Sequence, residues 1–354
     1  MRKGRRRKRV FRQTALLLCG FLLLACSGCG GAVSNTQEEG SHRTLFAMDT
    51  IMDLRAYGPH ADEGIRDAVE EITELDSELS AEDESSPVYA LNHAQGAALE
   101  MPDSFLEILG KAEEIYVRSS GALDLSVYPL SELWGFVGLE DSHTGTVPPQ
   151  DEIDAALKKL CFKQIERQGS HISIPAGSEL GLGAAAKGYT SDCVLREMKE
   201  DGVQSAVVSL GGNVQTLGEK PDGTPWQVAI ENPVDTTQYA GILSVGETAV
   251  VTSGSYQRYF EADGKRYHHI LDPHTGYPAD SGLQSVTIVC SSGLEADCLS
   301  TALFVLGKDG AEEYWKKYGG FEMILFADDG NLYLTPALQD KFRLIGDFQL
   351  NVLD

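Results

Sequence analysis

Asp297 and Thr301 lie four residues apart in the segment EADCLSTALFVLG, residues 295–307. Apolar residues recur in this segment at helical spacing, which predicts a helix. Residues four apart share one face of a helix, so the pair would present two oxygens side by side. One interpretation is structural, with Asp297 in the first turn and Thr301 bonded back to a carbonyl. The other is a hard-cation site, because Mg²⁺ prefers oxygen ligands and completes its shell with water and phosphates.

Two further segments carry residue types that suit ligand binding or proton transfer. Lys187 stands among small residues in AAAKGY at a predicted helix start, where an anion can approach, although a lone Lys is usually a surface residue. His268 and His269 are adjacent in YHHILDPHTGYP. Successive strand residues face opposite sides, so we expect one histidine to be functional and the other structural or exposed.

Glycines and hydroxyl residues mark two other segments. SLGGN, residues 209–213, predicts a hairpin turn or a place where backbone approaches a ligand without a Cβ in the way. TSGSYQRYF, residues 252–260, offers hydroxyl groups. It lacks the G-x-S-x-G pattern, so a hydrolase with a nucleophile elbow is not supported.

Helices and short strands alternate along the chain and must position these residues. Periodicity, capping residues and turn signals predict a first strand over residues 44–58, helices over 62–79, 102–121, 149–160 and 184–202, a strand, turn and strand over 205–218, and a helix over 295–307 followed by the strand FEMILFAD. The strands look mostly antiparallel, so the pattern favours an α+β fold.

The N-terminus predicts export and a lipid anchor. Residues 1–25 combine a basic segment with a short apolar run, which is typical of a signal peptide. LLAC fits lipoprotein cleavage before Cys26, while CSGC, which would place the lipid on Cys29, fits less well. An uncleaved signal anchor is the alternative. We expect residues 26–43 to form a tether to the extracytoplasmic face of the cell membrane.

Charge and cysteines exclude some classes of partner. Removing residues 1–25 leaves 21 Lys and Arg against 53 Asp and Glu, a net charge near −32. Such a surface repels nucleic acid and anionic headgroups, so the membrane link is expected to be the lipid. The four cysteines beyond residue 29 show no metal-ligand spacing and are expected in the core.

The order and spacing of these segments resemble the ApbE family of FAD:protein FMN transferases. The resemblance spans residues 44 to about 335. It is carried by the segments quoted above and by three others, FAMDT, YALNHAQG and GALDLSVYPLSELWGF. The resemblance implies an ApbE-like α+β fold with a T-fold-like sheet-and-helix core, in one compact catalytic unit over residues 44–354.

The resemblance also implies roles for individual residues. It places Mg²⁺ on Asp297, Thr301 and the main-chain carbonyl of Ala184. It makes His269 the catalytic base, and we expect this imidazole to titrate near neutrality. The implied FAD contacts are Met48, Ala122, Leu123, Asp124, Lys187 and Leu271.

Four positions depart from the family pattern. Asp49 replaces a Gly, and His274 replaces an Arg that is often found in the DP-x-TG turn. Glu82 replaces a Tyr, so we do not expect the flavin contact of that Tyr. Gly181 replaces an Asp, which removes one FAD contact or leaves it to a neighbour such as Glu179.

The expected activity is Mg²⁺-dependent transfer of FMN from FAD to a Ser or Thr hydroxyl, with release of AMP. The hydroxyl would belong to an acceptor protein of an extracytoplasmic or membrane-bound electron-transfer system. Two alternatives remain at this point: a pyrophosphatase that splits FAD into FMN and AMP with water, and a non-catalytic flavin-binding lipoprotein. Intact Asp297, Thr301 and His269 argue against the second, because storage needs neither metal nor base.

Overall fold

A computed structural model describes residues 40–137 and 145–354 of the chain. The strands in chain order are β1 Gly40–Ala47, β2 Thr50–Tyr57, β3 Leu99–Glu100, β4 Glu166–Gln168, β5 His171–Ser173, β6 Ser205–Leu210, β7 Asn213–Leu217, β8 Trp226–Glu231, β9 Tyr239–Val245, β10 Thr248–Gly254, β11 Tyr259–Ala262, β12 Lys265–His268, β13 Leu283–Cys290, β14 Glu322–Ala327, β15 Asn331–Leu334, β16 Phe342–Leu344 and β17 Gln349–Val352. The helices are α1 Ala61–Glu78, α2 Pro87–Asn92, α3 Asp103–Arg118, α4 Tyr128–Leu133, α5 Gln150–Leu157, α6 Ala186–Glu200 and α7 Gly293–Tyr318.

Nine strands form the central sheet, in the order β1-β2-β6-β7-β10-β13-β14-β15-β17. Neighbouring strands run antiparallel, except for β15 and β17, which are parallel. Smaller sheets have the orders β16-β9-β8, β3-β5-β4 and β11-β12. A large antiparallel sheet with helices gathered on it is the α+β arrangement that the sequence predicts.

The two faces of the sheet are covered differently, as strand β10 illustrates. Ala249 and Val251 belong to the core that contains the apolar residues of α3, α6 and α7. Val250, between them, belongs to the core made with β8, β9 and β16. Because side chains alternate across a strand, helices cover one face and the β16-β9-β8 sheet covers the other.

The first predicted strand is wrong: residues 44–58 form a hairpin. β1 and β2 pair antiparallel around a two-residue turn at Met48 and Asp49. Both turn residues have positive φ, 47° and 57°, as a type I′ turn requires. Asp adopts positive φ more readily than most residues, so the turn forms with Asp49 at a position where glycine is usual. Residues 40–43, predicted as tether, also belong to β1, because the backbone of β2 supplies their hydrogen-bond partners.

Helices α6 and α7 cross in close contact at two glycines. A Cβ on Gly188 would lie 2.2 Å from the carbonyl oxygen of Gly293, and a Cβ on Gly293 would lie 2.5 Å from that of Gly188. Neither position has room for a side chain. The glycines therefore bring the first turns of the two helices together.

The longer predicted helices are present, with ends shifted by a few residues. The short α2 and α4 were not predicted, since six residues carry little periodicity. α7 runs past the predicted segment to Tyr318, with non-helical backbone at Gly307. Within the described residues, no helix combines the length and apolar character that crossing a membrane requires.

Candidate functional site

A buried carboxylate lies where α6 and α7 meet. Asp297 is 4% exposed, and its Oδ2 accepts a hydrogen bond of 2.9 Å from the backbone N–H of Gly188. No ion pair reaches Asp297 from the part of the chain that the structure describes. A buried carboxylate is costly without a compensating charge, so this position calls for a cation.

The same hydrogen bond leaves the main-chain carbonyl of Ala184 without its usual helical donor. In a regular helix the N–H of Gly188 would bond to the carbonyl four residues earlier, that of Ala184. Because this N–H donates to Asp297, the Ala184 carbonyl has no hydrogen-bond partner within residues 40–137 and 145–354. Ala184 lies in the turn that leads into α6, three residues before Lys187. The Nζ of Lys187 donates to the Gly183 carbonyl at 3.2 Å.

Thr301 completes an oxygen-rich group one turn along α7. Its Oγ1 lies 3.4 Å from the Oγ of Ser253 on β10, which is also 2.8 Å from the Oγ of Ser300. Carbonyl, carboxylate and hydroxyl oxygens are the donors that Mg²⁺ prefers, and it needs few of them from the protein. The donor set therefore fits a hard cation. The sequence marked the hydroxyls of residues 252–260 but gave no sign that Ser253 contacts Thr301.

Asp192 on α6 holds the start of α7 and was missed by sequence reasoning. Its carboxylate accepts from the backbone N–H groups of Gly293 and Leu294, at 2.7 and 3.0 Å, and from the Ser292 hydroxyl at 2.9 Å. The Nε2 of Gln215 donates to it at 2.8 Å. Asp192 thus caps the helix that carries Asp297, through contacts about 100 residues apart in sequence that no local pattern reveals.

His269 lies just past β12 with one ring nitrogen engaged. Its Nδ1 is 3.2 Å from the carbonyl oxygen of Arg258, which can only accept, so Nδ1 carries the proton and Nε2 keeps its lone pair. Burial lowers the pKa of His269 to about 3. The positive charges of His268 and Arg258 act in the same direction, followed by that of Lys187. The expectation of titration near neutrality is therefore wrong, because burial and the positive charges of Arg258 and Lys187 disfavour the protonated imidazole.

His268 contacts a different part of the protein, as strand alternation predicts. Its Nε2 lies 3.1 Å from the Ala279 carbonyl, and its ring meets Phe304 edge-on, with centroids 5.4 Å apart. The side chain is 8% exposed, and burial lowers the pKa of His268 to about 4.

The β1–β2 turn contacts α1, α6 and Arg258. The N–H of Met48 donates to Asp76 on α1 at 2.8 Å, and the Oγ1 of Thr190 on α6 lies 3.7 Å from the Met48 sulfur. The guanidinium of Arg258 donates to the carbonyl of Asp49 at 3.1 Å. Since the Arg258 carbonyl accepts from His269, one residue connects the turn to His269.

The remaining predicted FAD contacts lie in two chain segments that touch each other. Ala122, Leu123 and Asp124 are buried after α3, and Leu271 is buried two residues beyond His269. His274 links the segments: its Nδ1 is 3.0 Å from Asp272 Oδ1, and its Nε2 is 3.1 Å from the Ser120 carbonyl.

The carboxylate of Asp124 bonds inward. It accepts from the N–H and hydroxyl of Ser126, at 2.7 and 2.5 Å, and burial raises the pKa of Asp124. A cavity of about 280 Å³ opens beside it, lined also by Lys163 and His274.

Gly181 and Glu82, two of the four departures named above, both lie near Tyr128. A Cβ on Gly181 would lie 2.5 Å from the ring of Tyr128, so the tyrosine fills the space where another side chain would stand. Burial raises the pKa of the Tyr128 phenol, and the nearby carboxylates of Glu82 and Glu132 act in the same direction.

The structure thus brings Ala184, Lys187, Asp297 and Thr301 to the first turns of α6 and α7. Met48 contacts Thr190 of α6, and the charge of Lys187 acts on His269. Ala122, Leu123, Asp124 and Leu271 lie in the two segments that His274 links. Cys26 and Cys29 lie outside the described residues.

Solved structures and curated sequences show which proteins this chain is similar to. It superposes on an ApbE protein from Thermotoga maritima with a TM-score of 0.79 at 29% identity, covering 86% of this chain and 99% of the other. The flavin transferase ApbE from Vibrio cholerae gives 0.77 at 26%, with the same coverage. A FAD:protein FMN transferase from Treponema pallidum is 31% identical over 95% of this chain and 96% of its own length, and one from Salmonella typhimurium is 32% identical over 96% and 99%. The ApbE family model matches residues 48–325, and the chain belongs to the ApbE family.

Proposed function

We propose that this chain transfers FMN from FAD to a Ser or Thr hydroxyl of an acceptor protein and releases AMP. The observation that carries the proposal is the arrangement around Asp297: a buried carboxylate with no cation partner in the described residues, beside an Ala184 carbonyl that accepts no hydrogen bond from them. His269 is near enough to Lys187, at the start of the same helix α6, for the lysine charge to lower its pKa. The curated relatives named as FAD:protein FMN transferases support it.

Three residues would hold Mg²⁺: Asp297, Thr301 and Ala184 through its carbonyl. Bound there, the cation would neutralise negative charge on the FAD pyrophosphate. Ser253 orients the Thr301 hydroxyl, and Asp192 fixes the helix that carries both ligand side chains. Lys187 contributes positive charge at the start of α6, where phosphate oxygens approach the helix N-terminus.

His269 acts as the general base. The Nε2 lone pair takes the proton from the acceptor hydroxyl as its oxygen bonds to the phosphorus of the FMN half, while the bond from that phosphorus to the bridging oxygen breaks and AMP leaves. The Nδ1–H bond to the Arg258 carbonyl holds the ring and its tautomer. The lowered pKa keeps Nε2 available in free enzyme throughout the neutral range.

The reaction would take place at the extracytoplasmic face of the cell membrane. The signal-like residues 1–25 and the lipobox before Cys26 support this location. Labelling with a fatty acid should mark the wild type and fail in Cys26→Ala. Label that persists there but is lost in Cys29→Ala would move the anchor three residues on.

The decisive experiment uses the purified full chain with FAD, Mg²⁺ and washed membranes. The membranes come from a strain of the source organism in which the gene for this chain is deleted. Transfer is expected to leave covalent FMN on a Ser or Thr of a membrane protein, detected by in-gel flavin fluorescence and mass spectrometry, with one AMP released per FMN attached. AMP and free FMN without a modified protein would indicate a pyrophosphatase. FAD binding without AMP would indicate a flavin carrier.

A further inference from the structure

The imidazole of His274 bridges two segments of the chain that both carry predicted FAD contacts. One segment follows α3 and contains residues 122–124, and the other is the turn that begins directly after Leu271. The Nε2 of His274 lies 3.1 Å from the Ser120 carbonyl oxygen in the first segment, and its Nδ1 lies 3.0 Å from Asp272 Oδ1 in its own turn. The side chain of His274 is 59% exposed, so its ring can exchange protons with the solvent.

Both ring nitrogens of His274 face groups that accept hydrogen bonds. The Ser120 oxygen belongs to a main-chain carbonyl, which has no proton to donate. Oδ1 of Asp272 also accepts from the N–H of His274 at 2.9 Å, and Oδ2 accepts from the Thr275 hydroxyl at 3.1 Å. A neutral imidazole has one N–H and can donate to only one of these acceptors, whereas an imidazolium donates to both. The geometry therefore fits the doubly protonated ring.

The carbonyl that accepts from Nε2 lies in an unusual stretch of backbone. Ser120 has a φ of 57°, which is uncommon for a residue other than glycine. Such a conformation costs free energy and persists where surrounding contacts hold it. The hydrogen bond from His274 is one of these contacts, so its loss would leave the segment after α3 less firmly placed.

A cavity lies at the junction of the two segments. Its volume is about 280 Å³, and it is lined by Ser120, Gly121 and Asp124 from one segment and by Pro273 and His274 from the other. Asp124 is itself a predicted FAD contact. Because both segments line the cavity, its shape depends on the bridge between them.

Several other groups around the bridge can carry or change charge. The charged and titratable groups around His274 and the cavity are Asp272, Asp124, Lys163, Tyr116 and Cys161. Burial raises the pKa of the Tyr116 phenol and of the Cys161 thiol, so both stay neutral between pH 5.5 and 8. Burial also raises the pKa of Asp124, and the positive charges of His274 and Lys163 oppose that rise. Histidine is the side chain that ordinarily changes charge in this range, so a test has to separate His274 from Asp124.

We propose that His274 is a positioning residue for FAD and acts in its doubly protonated form. With both nitrogens donating, it holds residues 120–124 against the turn after Leu271 and keeps the cavity preorganised. When the ring loses one proton it also loses one of the two hydrogen bonds, and FAD then has to order the segments as it binds. FAD should therefore bind more tightly at pH 5.5 than at pH 8. This role rests on the proposed FMN transfer, which supplies FAD as the ligand.

The test measures FAD binding to the full chain by flavin fluorescence, in Mg²⁺ and without acceptor membranes. We expect the dissociation constant of wild type to rise about three- to tenfold from pH 5.5 to pH 8, the effect of losing one hydrogen bond. Binding near pH 7 should also take up a fraction of a proton, because a ligand that prefers the protonated protein raises its affinity for protons. Calorimetry in buffers of different ionisation enthalpy measures this uptake, which a merely structural histidine would not produce.

Two substitutions at the bridge give opposite results if the charge is what matters. His274→Arg carries a guanidinium that stays charged and has several N–H donors, so it should bind FAD at pH 8 as tightly as at pH 5.5, without proton uptake. His274→Gln cannot become charged and should bind at every pH as weakly as wild type does at pH 8.

His42→Gln is the matched control. His42 is 50% exposed and lies 2.6 Å from a carboxylate oxygen of Asp53, in a different part of the chain. This variant should keep the wild-type dependence on pH. Melting temperatures within about 2 °C of wild type would show that the substitutions leave the fold intact.

Each other outcome overturns the positioning role of His274. A wild-type dissociation constant that does not change with pH would remove that role and leave FAD binding, and the proposed transfer, standing. Absence of FAD binding at every pH would defeat the proposed function as well. Dependence on pH that persists in both His274→Arg and His274→Gln would assign the titration to Asp124. Equally weak binding by the two variants at pH 8 would show that the shape of the imidazole matters and its second proton does not.

Discussion

The backbone N–H of Gly188 bonds to Asp297 across the crossing of α6 and α7, at 2.9 Å. This one interaction fixes the orientation of a buried carboxylate and withdraws the N–H from the Ala184 carbonyl. A cation bound by these two oxygens would offset the buried charge. The Gly188–Gly293 contact permits it, because a Cβ at either position would push the helices apart.

Asp297→Asn is expected to abolish stabilisation by Mg²⁺. The amide keeps the shape of the side chain but not the charge, so the metal-free variant should be at least as stable as wild type. Wild type should gain about 2.7 kcal/mol at a Mg²⁺ concentration 100 times the dissociation constant, measured by urea unfolding with and without Mg²⁺. A Mg²⁺-dependent gain of equal size in the variant would remove Asp297 from the site.

Thr301→Ala provides the graded comparison. Water can replace a neutral oxygen ligand, so we expect weaker stabilisation by Mg²⁺ rather than its loss. An effect larger than that of Asp297→Asn would indicate that the hydroxyl, and not the carboxylate, is the principal ligand.

His269→Ala is expected to slow transfer by roughly 10²–10⁴, the usual range for a positioned base. Since burial lowers the pKa of His269 to about 3, below the ordinary value of 6.5, its imidazole is neutral at every pH well above 3. The kcat/KM for FAD should therefore show no decline from this residue between pH 8 and pH 5. An acidic limb with a midpoint near 6.5 that is present in wild type would contradict the lowered pKa of His269.

The adjacent histidine is the control. His268→Asn should retain most of the transfer rate, because His268 is buried against Phe304 and the Ala279 carbonyl. Equal losses in the two variants would show that the pair acts through the fold and not through a base.

Asp192→Ala is expected to weaken Mg²⁺ binding although Asp192 is not among the expected ligands. The substitution leaves the N–H groups of Gly293 and Leu294 without their acceptor, so the first turn of α7 loosens under Asp297. We expect a loss of 0.5–2 kcal/mol in the free energy of unfolding, roughly the value of a helix cap, and a rise of about tenfold in half-saturating Mg²⁺.

Ser86→Ala is the matched control for this prediction. Ser86 caps α2 by accepting from the N–H of Val88 at 3.0 Å. Its loss should lower stability to a similar extent and leave the Mg²⁺ requirement as in wild type. A shift in half-saturating Mg²⁺ in both variants would attribute the effect of Asp192→Ala to general destabilisation.

Local patterns predicted the elements, and long-range contacts decided the site. The periodicity of residues 295–307 was enough to place Asp297 and Thr301 on one helix, and alternation was enough to separate His268 from His269. Nothing local indicates that Asp192 caps a helix that begins 101 residues later, or that Ser253 meets Thr301.

The pKa of His269 illustrates the same limit. It depends on enclosure and on Arg258 and Lys187, which arrive from other segments. The β1–β2 hairpin was missed for another reason. Its turn is formed by Met48 and Asp49 and lacks the glycine that normally signals a type I′ turn.

Gly181 and Tyr128 are expected to behave as one unit. A Cβ on Gly181 would lie 2.5 Å from the ring of Tyr128, and the backbone of Gly181 is held by its N–H bond to the Leu125 carbonyl at 2.9 Å. Gly181→Ala should therefore lower the free energy of unfolding by about 1–3 kcal/mol through overpacking. In a Tyr128→Ala background the same substitution should cost close to nothing, because the ring is gone.

The double-mutant cycle, measured by urea unfolding, gives the coupling between the two positions. Gly183→Ala is the control, since no atom lies within 4 Å of its added Cβ and it precedes the same helix. The FAD affinity of Gly181→Asp, measured with and without Tyr128→Gly, then asks whether position 181 can hold an acidic side chain once the ring is removed. If the double variant binds FAD more tightly than Gly181→Asp alone, Tyr128 occupies the place of the acidic side chain. Additive effects on unfolding and on FAD binding would show that the two positions are independent.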